Sequence, residues 1–445
     1  MERLLRICDA AVQAATRHGA DEAEAFASFG RSIDVELQKN DLQIASSAES
    51  DAVGIRVFKD RRMGFASVNT FDEVEVESAI ERALGIASAA PADEHNGLPE
   101  PVAITMVDGL FDPEAEAFGM DQAVGSALDM LRAARGVDER VTVDSGQLHC
   151  HSGARAVVSS KGIRVAEPVS RVYCFIMGMA LDGETVSSFD FQFDASRRVD
   201  GVDCGRIATR FGENVVASLG AVKGESFTGT VLLSPIAAAE IVAYPITYAV
   251  LASTVQRGSS RFGERMGQDV ASPLLSVSDD AALDDGFASV SFDREGQAPQ
   301  TLPIIESGRL RNFLYDSYRA RREGRDGTGH AGGGAQSVPA ASSTNVVFGA
   351  GNTPLEDIIA GIDRGVYVNR FSGNADPVSG DFSGVVKGGR MIRGGKLGEP
   401  LTGTMIAGNT FDLLTAISAV STERERLFSD VVPSLRIDGV PITGS

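Results

Sequence analysis

Three stretches of the chain carry side chains whose type and spacing could do chemistry. His149-Cys150-His151 is the densest group of potential metal ligands. In a strand the two histidines share one face while Cys150 points to the other, so the three cannot close on one ion. Further ligands would have to come from His18, His95 or His330, and the pattern reads as a strand with two exposed histidines. The run 327-GTGHAGGG-334 presents G-x-G-x-x-G through Gly327, Gly329 and Gly332. A dinucleotide loop must leave a strand and open a helix. Here a basic helical stretch precedes the run and 335-AQSVPAASSTNVVF-348 follows without helical pattern, so a flexible or tightly turned loop carrying His330 is expected, of the kind that can border a site. In 279-DDAALDDG-286, taking Gly286 as the sixth loop position puts Ala281 and Leu283 where calcium needs oxygen, which leaves a solvated loop. No G-x-S-x-G, H-E-x-x-H or P-loop pattern occurs.

A fourth stretch is notable for the chemistry it lacks. In 231-VLLSPIAAAEIVAYPI-246 an apolar strand runs into Ser234-Pro235 and then a helix. Strand-to-helix junctions are favoured places for active sites, yet this one begins with serine, proline and three alanines. Serine ahead of a proline in the first turn is a sound helix start, and alanine is the best helix former. The segment reads as scaffold.

The elements that must position these residues fall into two halves of different texture. Residues 1–19 form an amphipathic helix with Leu4, Leu5, Cys8, Val12 and Ala15 on one face. Residues 22–48 alternate like paired strands, and 51–69 form a hairpin around Lys59-Asp60-Arg61-Arg62. Asp72 caps a helix over 72–90, the proline-rich 91–113 is a connector, and a second helix spans 115–135. Strands are expected over 140–153, 155–165 and 170–181, then a helix over 201–221. A break at Lys223-Gly224-Glu225 leads into a glycine-rich half where a helix over 234–256 is followed by short strands and turns. The expected fold class is α+β. An N-terminal domain (1–222) lays helices on antiparallel strands, and a C-terminal domain (223–445) has curved or barrel-like β structure.

Composition bounds the partners. The chain has 61 acidic against 41 basic residues, a formal charge of −20, which disfavours direct nucleic-acid contact. Its densest basic run, 319-RARREGR-325, is expected to be a solvated helix end. No apolar run is long enough to cross a bilayer and no signal-peptide core is visible, so no membrane partner is expected. Four scattered cysteines fit a reducing compartment, and a cytoplasmic location is expected.

Several blocks together resemble the TldD/PmbA family, also called the modulator of DNA gyrase family. They are 54-GIRVFKDRRMGFASVN-69, 303-PIIESGRLRNFLYDSYRARREG-324, 327-GTGHAGG-333, 379-SGDFSGVVKGGRMIRGGKLGEPLTGTMIAGN-409 and 421-STERER-426. The resemblance implies a choice between two branches. TldD-type members are zinc metallopeptidases with H-E-x-x-x-H on the helix after a strand and a further cysteine ligand near the C-terminus. PmbA-type members, also called TldE, lack that motif and pair with a TldD-type subunit. Aligned on VLLSP, the ligand and base positions of this chain are Ser234, Pro235 and Ala239, none able to serve. No histidine lies between His151 and His330, and no cysteine follows Cys204. The resemblance therefore implies a PmbA/TldE-type subunit of a cytoplasmic metalloprotease for unfolded or modified peptides, without catalytic residues or metal of its own. Zinc is expected in a TldD-type partner. His330, Asp381, Phe382 and Asn409 sit in the family-like blocks and are candidate substrate contacts, although Asp381 and Asn409 read more readily as turn or capping groups beside glycine. Alternatives are a peptide-binding homodimer or regulator without proteolysis, and a self-sufficient hydrolase around His330 or the His149/His151 pair.

Overall fold

A computed structural model describes residues 1–444. The first half is built on one antiparallel sheet of unusually long strands. Its path runs β3 (Arg62–Val68), β2 (Asp41–Lys59), β1 (Glu22–Gln38), β4 (Val141–Ser159), β5 (Arg164–Asp182) and β6 (Thr185–Val186), with β7 (Asp190–Ser196) also pairing β5. Helix α1 (Glu2–Arg17) buries Leu4, Leu5, Cys8, Val12 and Ala15, the face expected from its periodicity. Together with α2 (Glu73–Ala89) it covers one end of the sheet, over Ala23, Ala25, Val53 and Ile55. Asp72 caps α2 by accepting from the amides of Val74 and Glu75. The short α3 (Pro113–Ala117), α4 (Met120–Val137) and α5 (Cys204–Ala217) cover the other end of the same face, over Ile33, Val35, Leu148 and Cys174.

Two expectations need correcting here. The strands anticipated over 140–153 and 155–165 are a single strand, β4, which passes straight through Gly153 opposite Gly30 and turns only after Ser159. A glycine in a strand can mark close backbone approach as well as a break. The histidines of β4 are half-buried rather than exposed: His149 lies 2.7 Å from Asp34 and stacks on Tyr173, while Cys150 faces the helix layer on the opposite side.

The second half is a mixed, strongly curled sheet of fourteen strands, a half-barrel with its main core inside the curl. Its first strands are β8 (Val222–Lys223) and β9 (Phe227–Leu233). The long C-terminal strand Asp430–Thr443 organises it, pairing in parallel with Val346–Phe348 and antiparallel with β9, Met405–Asn409 and Ile417–Leu427. The two halves meet across the uncovered face of the first sheet. A small apolar patch of Phe26, Val157, Ile163, Phe292 and Ala335 joins them, and several arginines also reach from one half to the other. Arg56 bonds Glu295, Arg155 the Phe292 carbonyl, Arg197 the Ser289 carbonyl, and Arg370 pairs with Asp190.

The basic run and the acidic run are solvated in part, as expected, with Arg322, Arg325 and Asp284 exposed, but each also carries an engaged or buried residue. Arg321, on α9 (Ser317–Arg322), donates to the carbonyls of His95 and Gly97 and pins the connector of the first half. Asp279 is fully buried.

Candidate functional site

Strand β9 lies between Arg364–Val368 and the C-terminal strand, and its last residues, Val231 to Leu233, are buried on both sides. The chain leaves the sheet at Ser234, whose amide donates to the Val368 carbonyl at 3.0 Å. Its hydroxyl accepts from the Ala237 amide at 3.2 Å and donates to the Asn369 carbonyl. Ser234 is therefore the N-cap of α6 (Pro235–Ala238), with Pro235 at the first helical position where its missing N–H costs nothing.

The helix expected over 234–256 is not regular. A π-helical segment, Ala239–Ala243, follows α6, then α7 (Tyr244–Ala249), and a break precedes α8 (Ala252–Gln256). Pro245 accounts for the widened turn. It has no N–H for the Ile241 carbonyl four residues back, and that carbonyl instead accepts from the Thr410 hydroxyl at 2.7 Å. The widened turn carries Glu240, the one charged residue between Ser234 and Ala249. Its Oε2 accepts from the Phe371 amide at 3.0 Å, and burial raises its pKa.

Beside Glu240 runs a groove of about 400 Å³ lined by Ala239, Glu240, Tyr244, Phe371, Gly373 and Ala375. Its wall is the strand Arg370–Ala375, which pairs on one side with Asp381–Lys387 and, among the described residues, with no strand on the other. Because the Phe371 amide points to Glu240, the alternate residues Gly373 and Ala375 turn their backbone groups to the same open edge. An extended peptide can add to such an edge through main-chain hydrogen bonds, with a carboxylate at one end and the half-exposed Tyr244 across the groove.

The expected contacts are distributed differently. Asp381 and Asn409 are paired across two strands, with Asn409 Nδ2 donating to Asp381 Oδ1 at 2.8 Å. Asn409 also caps the short helix Thr410–Leu413 by accepting from the Phe411 amide, so it carries the capping role read as its alternative. Phe382 is 3% exposed and packs edge-on against Phe371, beneath the groove rather than in it. His330 is 1% exposed and stands in a separate buried network, with Nε2 3.0 Å from Asp279 and Nδ1 2.8 Å from the Thr328 carbonyl. Glu240, Tyr244 and the edge residues were not among the expected contacts. Glu240 had a signal, as the lone charge in PIAAAEIVAYPI. The open edge had none, since strand pairing is set by distant segments.

The donor set here does not suit zinc. The Ser234 hydroxyl is committed to two backbone partners, and Pro235 and Ala239 offer no donor. Among the described residues no three His, Cys, Asp or Glu side chains are grouped to share an ion.

Three segments of the chain match one family. Residues 23–87 match PmbA/TldA metallopeptidase domain 1, residues 113–219 its central domain and residues 226–444 its C-terminal domain. The chain belongs to the TldD/PmbA family. Among curated members of this family, the metalloprotease PmbA homolog of Haemophilus influenzae is 26% identical, over 98% of this chain and 95% of that protein. An uncharacterized protein of Methanocaldococcus jannaschii is 28% identical, over 86% of this chain and 87% of its own length. The crystal structure of TldE from Thermococcus kodakarensis superposes with a TM-score of 0.92 at 25% identity, over 98% of this chain and all of that one. The TldD/PmbA domain 1 and central-domain segments lie on the same long sheet, so two family domains share one hydrogen-bonded scaffold here. Among the described residues no helix is long and apolar enough to cross a membrane.

Proposed function

We propose that this chain is the PmbA/TldE-type subunit of a TldD/TldE-like metalloprotease acting in the cytoplasm on unfolded or modified peptides, and that its own junction is non-catalytic. The observation that carries the reading is Ser234. At the position where the zinc branch of the family needs a ligand, this chain has a buried helix cap with both hydrogen-bonding capacities occupied. Pro235 and Ala239 complete the replacement. The groove beside it persists, and an open strand edge reads backbone rather than sequence, as a protease subunit for unfolded chains requires. The full-length similarity to a TldE structure supports the same branch. In this role the chain supplies one wall of the peptide path, and a TldD-type subunit supplies zinc and the water it activates.

The test is co-expression with a TldD-type protein, followed by zinc analysis and digestion of an unfolded protein such as reduced casein. The expected result is a complex whose zinc and proteolysis both disappear when the partner's zinc motif is mutated, with neither zinc nor proteolysis in this chain alone. Stoichiometric zinc together with peptidase activity in the isolated chain would overturn the proposal.

A further inference from the structure

Away from the groove, a cavity of about 450 Å³ lies where the two halves meet. The first half contributes Phe58 and Met63, which flank the turn between β2 and β3, and the connector from Ala90 to Gly97. The second half contributes Arg257, α9 and the segment Val338-Pro339-Ala340. The walls are part apolar and part charged, and besides Arg56 three arginines, Arg257, Arg319 and Arg321, line the space.

Those arginines are unlike the others at the junction. The carboxylates lining the cavity are already engaged. Asp93 accepts from the Tyr318 hydroxyl at 2.7 Å and from the His95 amide at 2.9 Å. Glu295 accepts from Arg56 and from the Ser317 amide and hydroxyl, and Asp316 caps α9 through the Arg319 amide. The Arg319 guanidinium lies over the Tyr318 ring at 5.2 Å and donates to the Gln256 amide oxygen at 3.3 Å, and Arg257 donates to the Thr254 hydroxyl at 3.4 Å. Arg321 spends its donors on two backbone carbonyls. None of the three forms an ion pair with a carboxylate among the described residues, in a chain whose formal charge is −20. Deeper in the same wall, Arg56 is 3% exposed and its Nε is buried without a hydrogen-bond partner. Guanidinium groups without an ion pair around a partly apolar cavity of this size are what an anionic ligand with an apolar body requires.

We propose that this cavity binds a small carboxylate bearing an apolar group, its anionic end held between Arg257 and Arg319 and its body against Phe58, Met63, Val338 and Pro339. The site stands independently of the proteolytic role proposed above. It also gives the basic run 319–325 a use other than solvation.

Isothermal titration of the purified full-length chain with hippurate, and with hippuramide as its neutral counterpart, tests the proposal. A charge-assisted hydrogen bond predicts that the acid binds at least about tenfold more tightly than the amide. Because the ligand would touch both halves, hippurate should also raise the unfolding temperature where hippuramide does not. Arg257→Gln with Arg319→Gln should abolish the preference. Arg257 is exposed and makes one weak bond, so Arg257→Gln alone provides a folded control with a partial loss. Equal affinity for acid and amide, no binding of either at millimolar concentration, or a preference surviving the double substitution would each overturn the site.

Discussion

Ser234 serves as the helix cap at the strand-to-helix junction, which its hydroxyl holds through the Ala237 amide and the Asn369 carbonyl. A carboxyl held away from its ordinary titration lies elsewhere in the second half. Asp430, at the start of the C-terminal strand, is pushed up to about 6, mainly by burial and also by the charge of Asp279. Asp279 is itself fixed by His330 Nε2 and by the amide and hydroxyl of Thr344. A carboxyl whose folded pKa exceeds its unfolded value of 3.8 favours the folded state below that value and loses this contribution as pH rises through about 6. Asp430→Asn removes the charge with little change of shape. It should stabilise the protein by about 1–2 kcal/mol at pH 8 and change little at pH 4. Thermal unfolding followed across that range checks it. No stabilisation at pH 8, or a loss there, would mean Asp430 is charged and satisfied in the fold.

At the scale of elements, local signals were readable and distant pairings were not. The amphipathic face of α1, the Asp72 cap of α2 and the hairpin around Asp60 follow from side-chain spacing within a turn or two, and all three are present. The helix expected over 201–221 is the shorter Cys204–Ala217, and the strand Asp190–Ser196 goes unpredicted although Phe191, Phe193 and Ala195 alternate with Asp190, Gln192 and Asp194. The groove was illegible because Glu240 and Phe371, which define it, are 131 residues apart. The π segment was hidden for a similar reason, since Pro245 in a helical pattern signals a kink but not which hydroxyl, here Thr410, will take the freed carbonyl. The edge strand makes a specific prediction. Gly373 stands opposite Gly384, and a Cβ on Gly373 would lie 2.3 Å from the Ser383 carbonyl oxygen and 2.4 Å from the Gly384 Cα. Gly373→Ala should therefore force the Arg370–Ala375 and Asp381–Lys387 strands apart, costing about 1–3 kcal/mol. Gly334→Ala, where a Cβ meets nothing within 4 Å, should cost no more than about 0.5 kcal/mol. Urea unfolding gives both costs, and amide exchange should show the Gly373 loss confined to that hairpin.

For the whole molecule the question is what keeps two differently built halves in register. The apolar patch between them is small, and the backbone of β2 comes so close that a Cβ on Gly54 would lie 2.1 Å from the Ala335 carbonyl oxygen. Around that contact, Glu24 and Arg56 of the first half alternate with Arg294 and Glu295 of the second, at 2.6, 2.9 and 2.7 Å, with every side chain at most 4% exposed. Such a network adds little net stability over an apolar substitute, because desolvating four charges offsets most of their attraction. Breaking it is another matter. Arg56→Met leaves Glu295 without its cation and Glu24 with only Arg294, which should cost about 3–5 kcal/mol. Because each half has its own sheet and core, the loss should fall on their association, and calorimetry should resolve two transitions where the unaltered protein gives one. Adding Glu295→Gln to Arg56→Met removes the stranded charge and should recover part of the loss, a non-additivity that an independent pair of sites would not show. A single transition that merely shifts, with additive costs, would instead place the latch in the backbone contacts at Gly54 and in the arginines that reach carbonyl groups.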